Sequence, residues 1–113
     1  MAAFVRKSSE VAPVSCPCGQ ATRIITGADN DRVSIHRVRI AGEAKKHYHR
    51  KCTEHYVVLE GEGEIELDER TVAVGPGDVV YIPPETRHAL RGQFEIINVV
   101  APPFEPDDEY VVE

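Results

Sequence analysis

The stretch from Gly42 to Gly61, GEAKKHYHRKCTEHYVVLEG, gathers His47, His49, Glu54 and His55 into nine residues. In a β-strand, side chains alternate between faces with a period of two, so His47 and His49 project from the same face and one cation touches both rings. Four residues separate His49 from Glu54, enough for a tight turn that returns the chain along a neighbouring strand. The same alternation separates Glu54 from His55, so only one of them faces a site lined by the two histidines. A further imidazole, His88, sits in a second short motif downstream.

Around this stretch the chain reads as β throughout. Thr22 to Thr26 is a short β-branched run followed by the turn cluster Gly27-Ala28-Asp29-Asn30-Asp31. From Val33 to Ile40, His36 shares a face with Ser34, Val38 and Ile40, and Arg37 and Arg39 lie on the other, which turns His36 inward. Residues 54 to 60 form a strand with Glu54, Tyr56 and Val58 on one face. Glu60-Gly61-Glu62-Gly63 reads as a hairpin turn, Glu64–Leu67 and Arg70–Val74 as two strands, and Gly75-Pro76-Gly77-Asp78 as another turn. Val79–Ile82 stops at Pro83-Pro84, and Phe94–Val100 is a last long strand. Turn signals every eight to twelve residues, with no ten-residue amphipathic helix, predict an all-β sandwich or barrel.

The chain has 113 residues, enough for one core. The expected organisation is a single domain over residues 1–113, with an N-terminal arm at 1–22, a barrel core at 23–104 and an acidic C-terminal tail at 105–113, of which Tyr110–Val112 could pair with an edge. Hydrophobic residues make up 42% and charged residues 28%, and no apolar run is long enough to span a bilayer. The start, MAAFVRKSSE, lacks an apolar signal core, so the expected location is cytoplasmic. The net charge of −6 is uneven, with ten basic against four acidic residues up to Lys51 and three against fifteen after it. An acidic total, with basic residues interleaved among strand positions, argues against a nucleic-acid partner. Cys16, Cys18 and Cys52 are an odd count, which points to a reducing compartment and small buried or turn thiols.

Two motifs then stand in a familiar relation. Gly42, His47, His49, Glu54 and Gly61 read G-x4-H-x-H-x4-E-x6-G, and Gly77, Pro83 and His88 read G-x5-P-x4-H. Together they resemble the two conserved motifs of the cupin superfamily, over about residues 33 to 101. The first gap is one residue short of the usual five, and Glu85 and Gly92 stand where the second motif carries Gly and Asn. The resemblance implies an all-β double-stranded β-helix, or jelly-roll, cupin barrel, often dimeric. It also implies one divalent cation held by His47, His49, Glu54 and His88.

Three imidazoles and one carboxylate suit Fe, Mn, Ni, Co, Cu or Zn, and leave positions open for a small-molecule ligand. His36, Tyr56, Val58, Val80 and Ile82 are the expected pocket residues. The function expected from the resemblance is a dioxygenase-like oxidoreductase acting on a small oxygen-bearing molecule. HYHRKCTEHYVVLEG is also similar to the cupin stretch of bacterial bifunctional mannose-6-phosphate isomerases, which opens sugar or sugar-phosphate isomerisation, with Lys45, Lys46, Arg50 and Lys51 toward a phosphate. Non-catalytic metal-dependent ligand binding is the third reading. Outward apolar positions at Val33, Ile35, Val57 and Leu59 lead to an expected homodimer.

Overall fold

The computed structural model describes residues 2–112. Among them, nine strands run in chain order: β1 (Val14–Cys16), β2 (Gly19–Ile25), β3 (Ser34–Glu43), β4 (His47–Tyr48), β5 (Thr53–Leu67), β6 (Arg70–Val74), β7 (Val79–Ile82), β8 (His88–Ala101) and β9 (Tyr110–Val111). Short 3-10 turns at Ser8–Glu10 and Pro106–Asp108 are the helical elements. All pairings are antiparallel. The long β8 is central, with β5 along one edge and β3 and β4 along the other; β2 and β1 extend outward from β3, and β9 from β4. β7 and β6 pair with the far edge of β5. The sheet curls into the all-β jelly-roll barrel that the cupin resemblance implies.

Alternation explains what the barrel encloses. Val38, Ile40, Tyr56, Val58, Ile65, Val80, Ile82, Leu90, Phe94 and Ile96 point inward and form the buried core. Each such side chain contributes about 1.5–3 kcal/mol of transfer free energy. At one end of the same inner face the apolar layer gives way to Ser34, His36, Glu54, His88 and Asn98, all buried. Cross-strand register puts His36 opposite Asn98 and Asn98 opposite Tyr56, and puts Glu54 opposite Val100 and Ile82. The functional end of the barrel is therefore a change of residue type along strands that otherwise build the core.

Three local readings are corrected. Glu60-Gly61-Glu62-Gly63 is not a hairpin turn; β5 runs through it for fifteen residues. Its register against β8 shifts between Val58 and Glu60, and one extra residue in a strand exchanges its faces. Inward positions are thus Glu54, Tyr56 and Val58 before the bulge and Ile65 after it. Gly61 carries the bend at φ 99°, where a Cβ would collide with the Gln93 carbonyl on β8. The segment from His88 and the strand from Phe94 are one element, β8, because Gly92 lies between Gly42 and Gly63 in a side-chain-free row that lets the sheet curve without a break. The acidic segment after residue 104 is not a free tail either. Its β9 pairs with β4, Tyr110 opposite Tyr48 and Val111 opposite His47.

Candidate metal centre

Four side chains from three strands and one loop converge at the polar end. His47 lies on β4 directly opposite His88, the first residue of β8. His49 follows β4 in the loop that returns the chain to β5, where Glu54 is the second residue. One ligating atom from each of the four lies within 4.8 Å of all the others, and all four residues are buried. His49 Nε2 stands 3.1 Å and His88 Nε2 2.9 Å from Glu54 Oε1.

Each imidazole is held by its other nitrogen. Nδ1 of His47 donates to the Lys45 carbonyl at 2.9 Å, that of His49 to the Asp108 carbonyl at 2.8 Å and that of His88 to the Thr86 carbonyl at 2.8 Å. A carbonyl accepts only, so Nδ1 carries the proton and Nε2 presents its lone pair inward, the tautomer a metal requires. His49 Nε2, His88 Nε2 and Glu54 Oε1 are left buried with no hydrogen-bond partner. Three lone pairs facing one another at about 3 Å repel unless a cation lies between them. The residues present therefore fit a divalent metal, whose ligands would be His47, His49, Glu54 and His88.

In the protein alone, charge at the site is balanced by a proton. Burial pushes the His47 pKa down to about 4, helped by the neighbouring His88. Burial also acts to lower His49, but the neighbouring Cys52 and the Glu54 carboxylate 3.1 Å from its Nε2 outweigh it and hold the group up at about 11. For Glu54, burial acts upward and is overcome by His49 and His88, which hold its carboxyl well below the usual carboxylate range. Without metal, a proton held between His49 and Glu54 is the substitute for the cation.

Further groups beyond the four ligands complete the site. Asn98 donates from Nδ2 to Glu54 Oε2 at 2.6 Å and orients the carboxylate. The Asp108 carboxylate accepts from the backbone N–H groups of Arg50, Lys51 and Cys52, which fixes the loop between His49 and Glu54. Glu85 adopts the left-handed conformation usual for glycine at that motif position, φ 71°, and its N–H donates to the His49 carbonyl at 2.7 Å. Glu109 Oε1 stands 3.9 Å from His47 Nε2. Of these, Glu85 stood out in the sequence as the departure from the motif glycine, and Asn98 left a trace as a polar residue at an inward position between Ile96 and Val100.

A narrow cavity of about 30 Å³ opens beside the ligands. Its wall includes His36, Arg23, Asn98, Phe104 and Glu109 together with Cys16 and Cys18. Among the expected pocket residues, His36 lines this space, whereas Tyr56, Val58, Val80 and Ile82 belong to the apolar core. The Tyr56 ring lies 6.0 Å from that of His88, beneath the ligands. His55 turns outward and its Nδ1 bonds the Val99 carbonyl. None of Lys45, Lys46, Arg50 and Lys51 lines the cavity. Lys46 pairs with Glu66, Lys51 with Glu105, and Arg50 lies against Glu85 and the Tyr110 ring. Arg50 belongs to a surface stack in which Arg87 covers Tyr48, Tyr48 stacks on Tyr110, and Arg50 covers Tyr110. In a second group of ligating types, His49, Cys52 and Asp108, the His49 Nδ1 bonds the Asp108 carbonyl and the Asp108 carboxylate accepts from the loop N–H groups, that of Cys52 included.

The cupin-domain family profile matches residues 35–99, more than half the chain and the part that carries the ligands. The chain belongs to the cupin family. A protein of Planctomyces limnophilus has a crystal structure similar to this cupin at a TM-score of 0.89, with 38% identity over 97% of this chain and 96% of that one. An uncharacterized protein of Methanocaldococcus jannaschii is 31% identical over 80 residues, 67% of this chain. The matched region spans 64% of that relative's length. The Streptomyces nucleoside dehydratase Pac13 shares the fold at a TM-score of 0.88 and 23% identity, over 99% of this cupin and 92% of Pac13. No helix of the described residues is long and apolar enough to cross a membrane.

Proposed function

We propose that this cupin is a metal-dependent, dioxygenase-like oxidoreductase that acts on a small oxygen-bearing molecule at His47, His49, Glu54 and His88. The observation that supports it is the set of inward lone pairs fixed by three Nδ1–H to carbonyl bonds around a buried carboxylate. A redox-active metal held there by His47, His49, Glu54 and His88 would supply the electron transfer that dioxygen chemistry requires. The chain's own groups bind and orient the substrate. His36 Nδ1 and Asn98 Oδ1 are buried on the cavity wall without partners and would pair with a hydroxyl or amide of the substrate. Burial, then the nearby Arg23, lowers the His36 pKa to about 4, which keeps the ring neutral. Arg23, stacked on Phe104, faces negative charge on the substrate.

The test is anaerobic reconstitution with Fe(II), followed by oxygen uptake over a panel of catechols, diketones and thiols. Uptake with one class, abolished in His49→Ala, is expected; no uptake with any metal or substrate would sink the reading. Removal of water from a hydroxylated substrate is a second reading, favoured by the Glu109 carboxylate beside His47. It predicts turnover that persists without oxygen. Ion pairing of Lys46 and Lys51 outside the cavity supports neither a phosphate site nor sugar-phosphate isomerisation. A protein that shows no turnover but gains thermal stability from a ligand only when metal-loaded would be a binding module.

Homodimerisation in the cytoplasm belongs to the same proposal. Leu59, Val79 and Tyr81 are exposed on the outer face, where register aligns His55 with Tyr81 and Val99, and Val57 with Val79 and Ile97. Light scattering should return twice the chain mass, and Tyr81→Glu should return it to the chain mass.

A further inference from the structure

Cys16, Pro17, Cys18 and Gly19 form the turn between β1 and β2, closed by pairing of Cys16 with Gly19. Proline fixes φ at the first turn position, and Gly19 packs so tightly on β3 that a Cβ would collide with the Arg39 carbonyl. The turn is therefore rigid, and it holds the two Sγ atoms 2.8 Å apart, half-buried on the wall of the metal cavity. No third ligating group joins them among the described residues, so the pair lacks the coordination a metal needs. The Pro17 carbonyl accepts from the Lys45 N–H at 3.1 Å, and the Lys45 carbonyl accepts the His47 Nδ1–H at 2.9 Å. One residue, Lys45, thus connects the dithiol turn to a metal ligand through its N–H and its carbonyl.

We infer that Cys16 and Cys18 are a redox site that closes reversibly to a disulfide on the cavity wall and, through Lys45, reports its state to His47. The connection to His47 rests on the metal-site reading; disulfide formation does not. The Cys18 hydrogen bond brings the Cys16 thiol down to about 7, whereas Cys18 is raised, so Cys16 is the attacking sulfur. Its thiolate attacks a hydroperoxide, the O–O bond breaks, and an alcohol leaves with a proton as Cys16 becomes a sulfenic acid. Cys18 Sγ then attacks the Cys16 sulfur and expels water. In sum, two thiols and one hydroperoxide give one disulfide, one alcohol and one water, with two electrons passing from sulfur to the peroxide oxygen. A reducing dithiol returns the pair by exchange. Cys52, buried in the core and raised by desolvation, takes no part.

The experiment uses the full chain, metal-free, treated with one equivalent of tert-butyl hydroperoxide, alkylated and digested with trypsin. Cys16 and Cys18 fall on one peptide, residues 8–23, and Cys52 on another. The expected result is loss of two hydrogens from the 8–23 peptide and no alkylation of it, reversed by dithiothreitol. In Cys18→Ser the reaction should stop at a sulfenic acid that dimedone captures. Co(II) titration should then show affinity about tenfold weaker in the oxidised protein, the low end for disturbing an outer hydrogen bond of a metal ligand. Two free thiols after treatment, or only intermolecular disulfides, would overturn the redox site. Equal Co(II) affinity in both states would overturn the connection to His47. A sulfur-to-cobalt charge-transfer band in the reduced protein, absent in Cys18→Ser, would make the pair a metal ligand instead and also overturn it.

Discussion

Replacing Asp108 by alanine should damage both the fold and the metal site, although the residue is neither a ligand nor in a cupin motif. Its carboxylate is buried and accepts from the N–H groups of Arg50 at 2.9 Å, Lys51 at 3.1 Å and Cys52 at 3.3 Å. The two exposed residues can turn their N–H groups to water, at about 0.5–1 kcal/mol each for the lost bond, while the buried Cys52 N–H is left unsatisfied at about 1–3 kcal/mol. The sum is about 2–5 kcal/mol, or roughly 8–20 °C in Tm for a chain of this size. The Asp108 carbonyl survives the substitution, but the segment that carries it loses its anchor, so His49 Nδ1 loses a fixed acceptor. Metal affinity should fall about 10- to 100-fold, as for other outer partners of ligating histidines. Asp108→Asn should fall between, because its amide oxygen replaces one carboxylate oxygen and its NH₂ opposes the remaining N–H donors. Thermal unfolding without metal and Co(II) titration by visible absorption measure the two effects separately. A Tm within about 2 °C of wild type, given that loss of one buried bond alone exceeds this, with unchanged Co(II) affinity, would refute the reasoning.

Metal affinity should rise with pH. His49 is held at about 11 without metal, so at neutral pH binding displaces one proton; affinity should rise about tenfold per pH unit from roughly pH 5 to 8, measured by titration in matched buffers. The metal-free fold should show the opposite trend, since a raised histidine pKa contributes stability present below 6.5 and lost as pH rises through about 11. Asn98→Leu removes the donor to Glu54 Oε2 and should weaken metal binding about tenfold while leaving the barrel folded by circular dichroism. Gly61→Ala places a Cβ against the Gln93 carbonyl at a strained φ and should cost at least ~2 kcal/mol in urea unfolding.

The cluster of His47, His49, Glu54 and His88 was legible from the two motifs that resemble the cupin pair, and the barrel from the rhythm of strands and turns. His47 and His49 share a strand face by parity, and Glu54 and His88 follow at fixed spacing in their motifs. The bulge beside Leu59 was not legible, since a single extra residue leaves composition unchanged and shows only in cross-strand register. That slip explains why Gly61 and Gly63 read as a turn when they are a bend within β5. Asp108 and Glu109 read as acidic solvent-facing residues because their contacts lie more than fifty residues back in the chain. The placement of Tyr56 and Val58 in the core has a similar cause: parity tells which face a side chain takes but not how deep along the barrel axis it sits.

The stack of Tyr48 on Tyr110, covered by Arg87 on one side and Arg50 on the other, bears on how the protein resists digestion. It clasps β9 over β4, the two-residue strand that carries His47. Occupation of the centre by metal and docking of the C-terminus therefore favour one another, by the same factor in both directions. Limited proteolysis within residues 105–112, which requires β9 to lift off β4, becomes a reporter of metal occupancy: cleavage there should be slow in loaded protein and fast in stripped protein. A fusion partner joined at this end would act on the metal centre, and one joined at the other end would not engage this clasp.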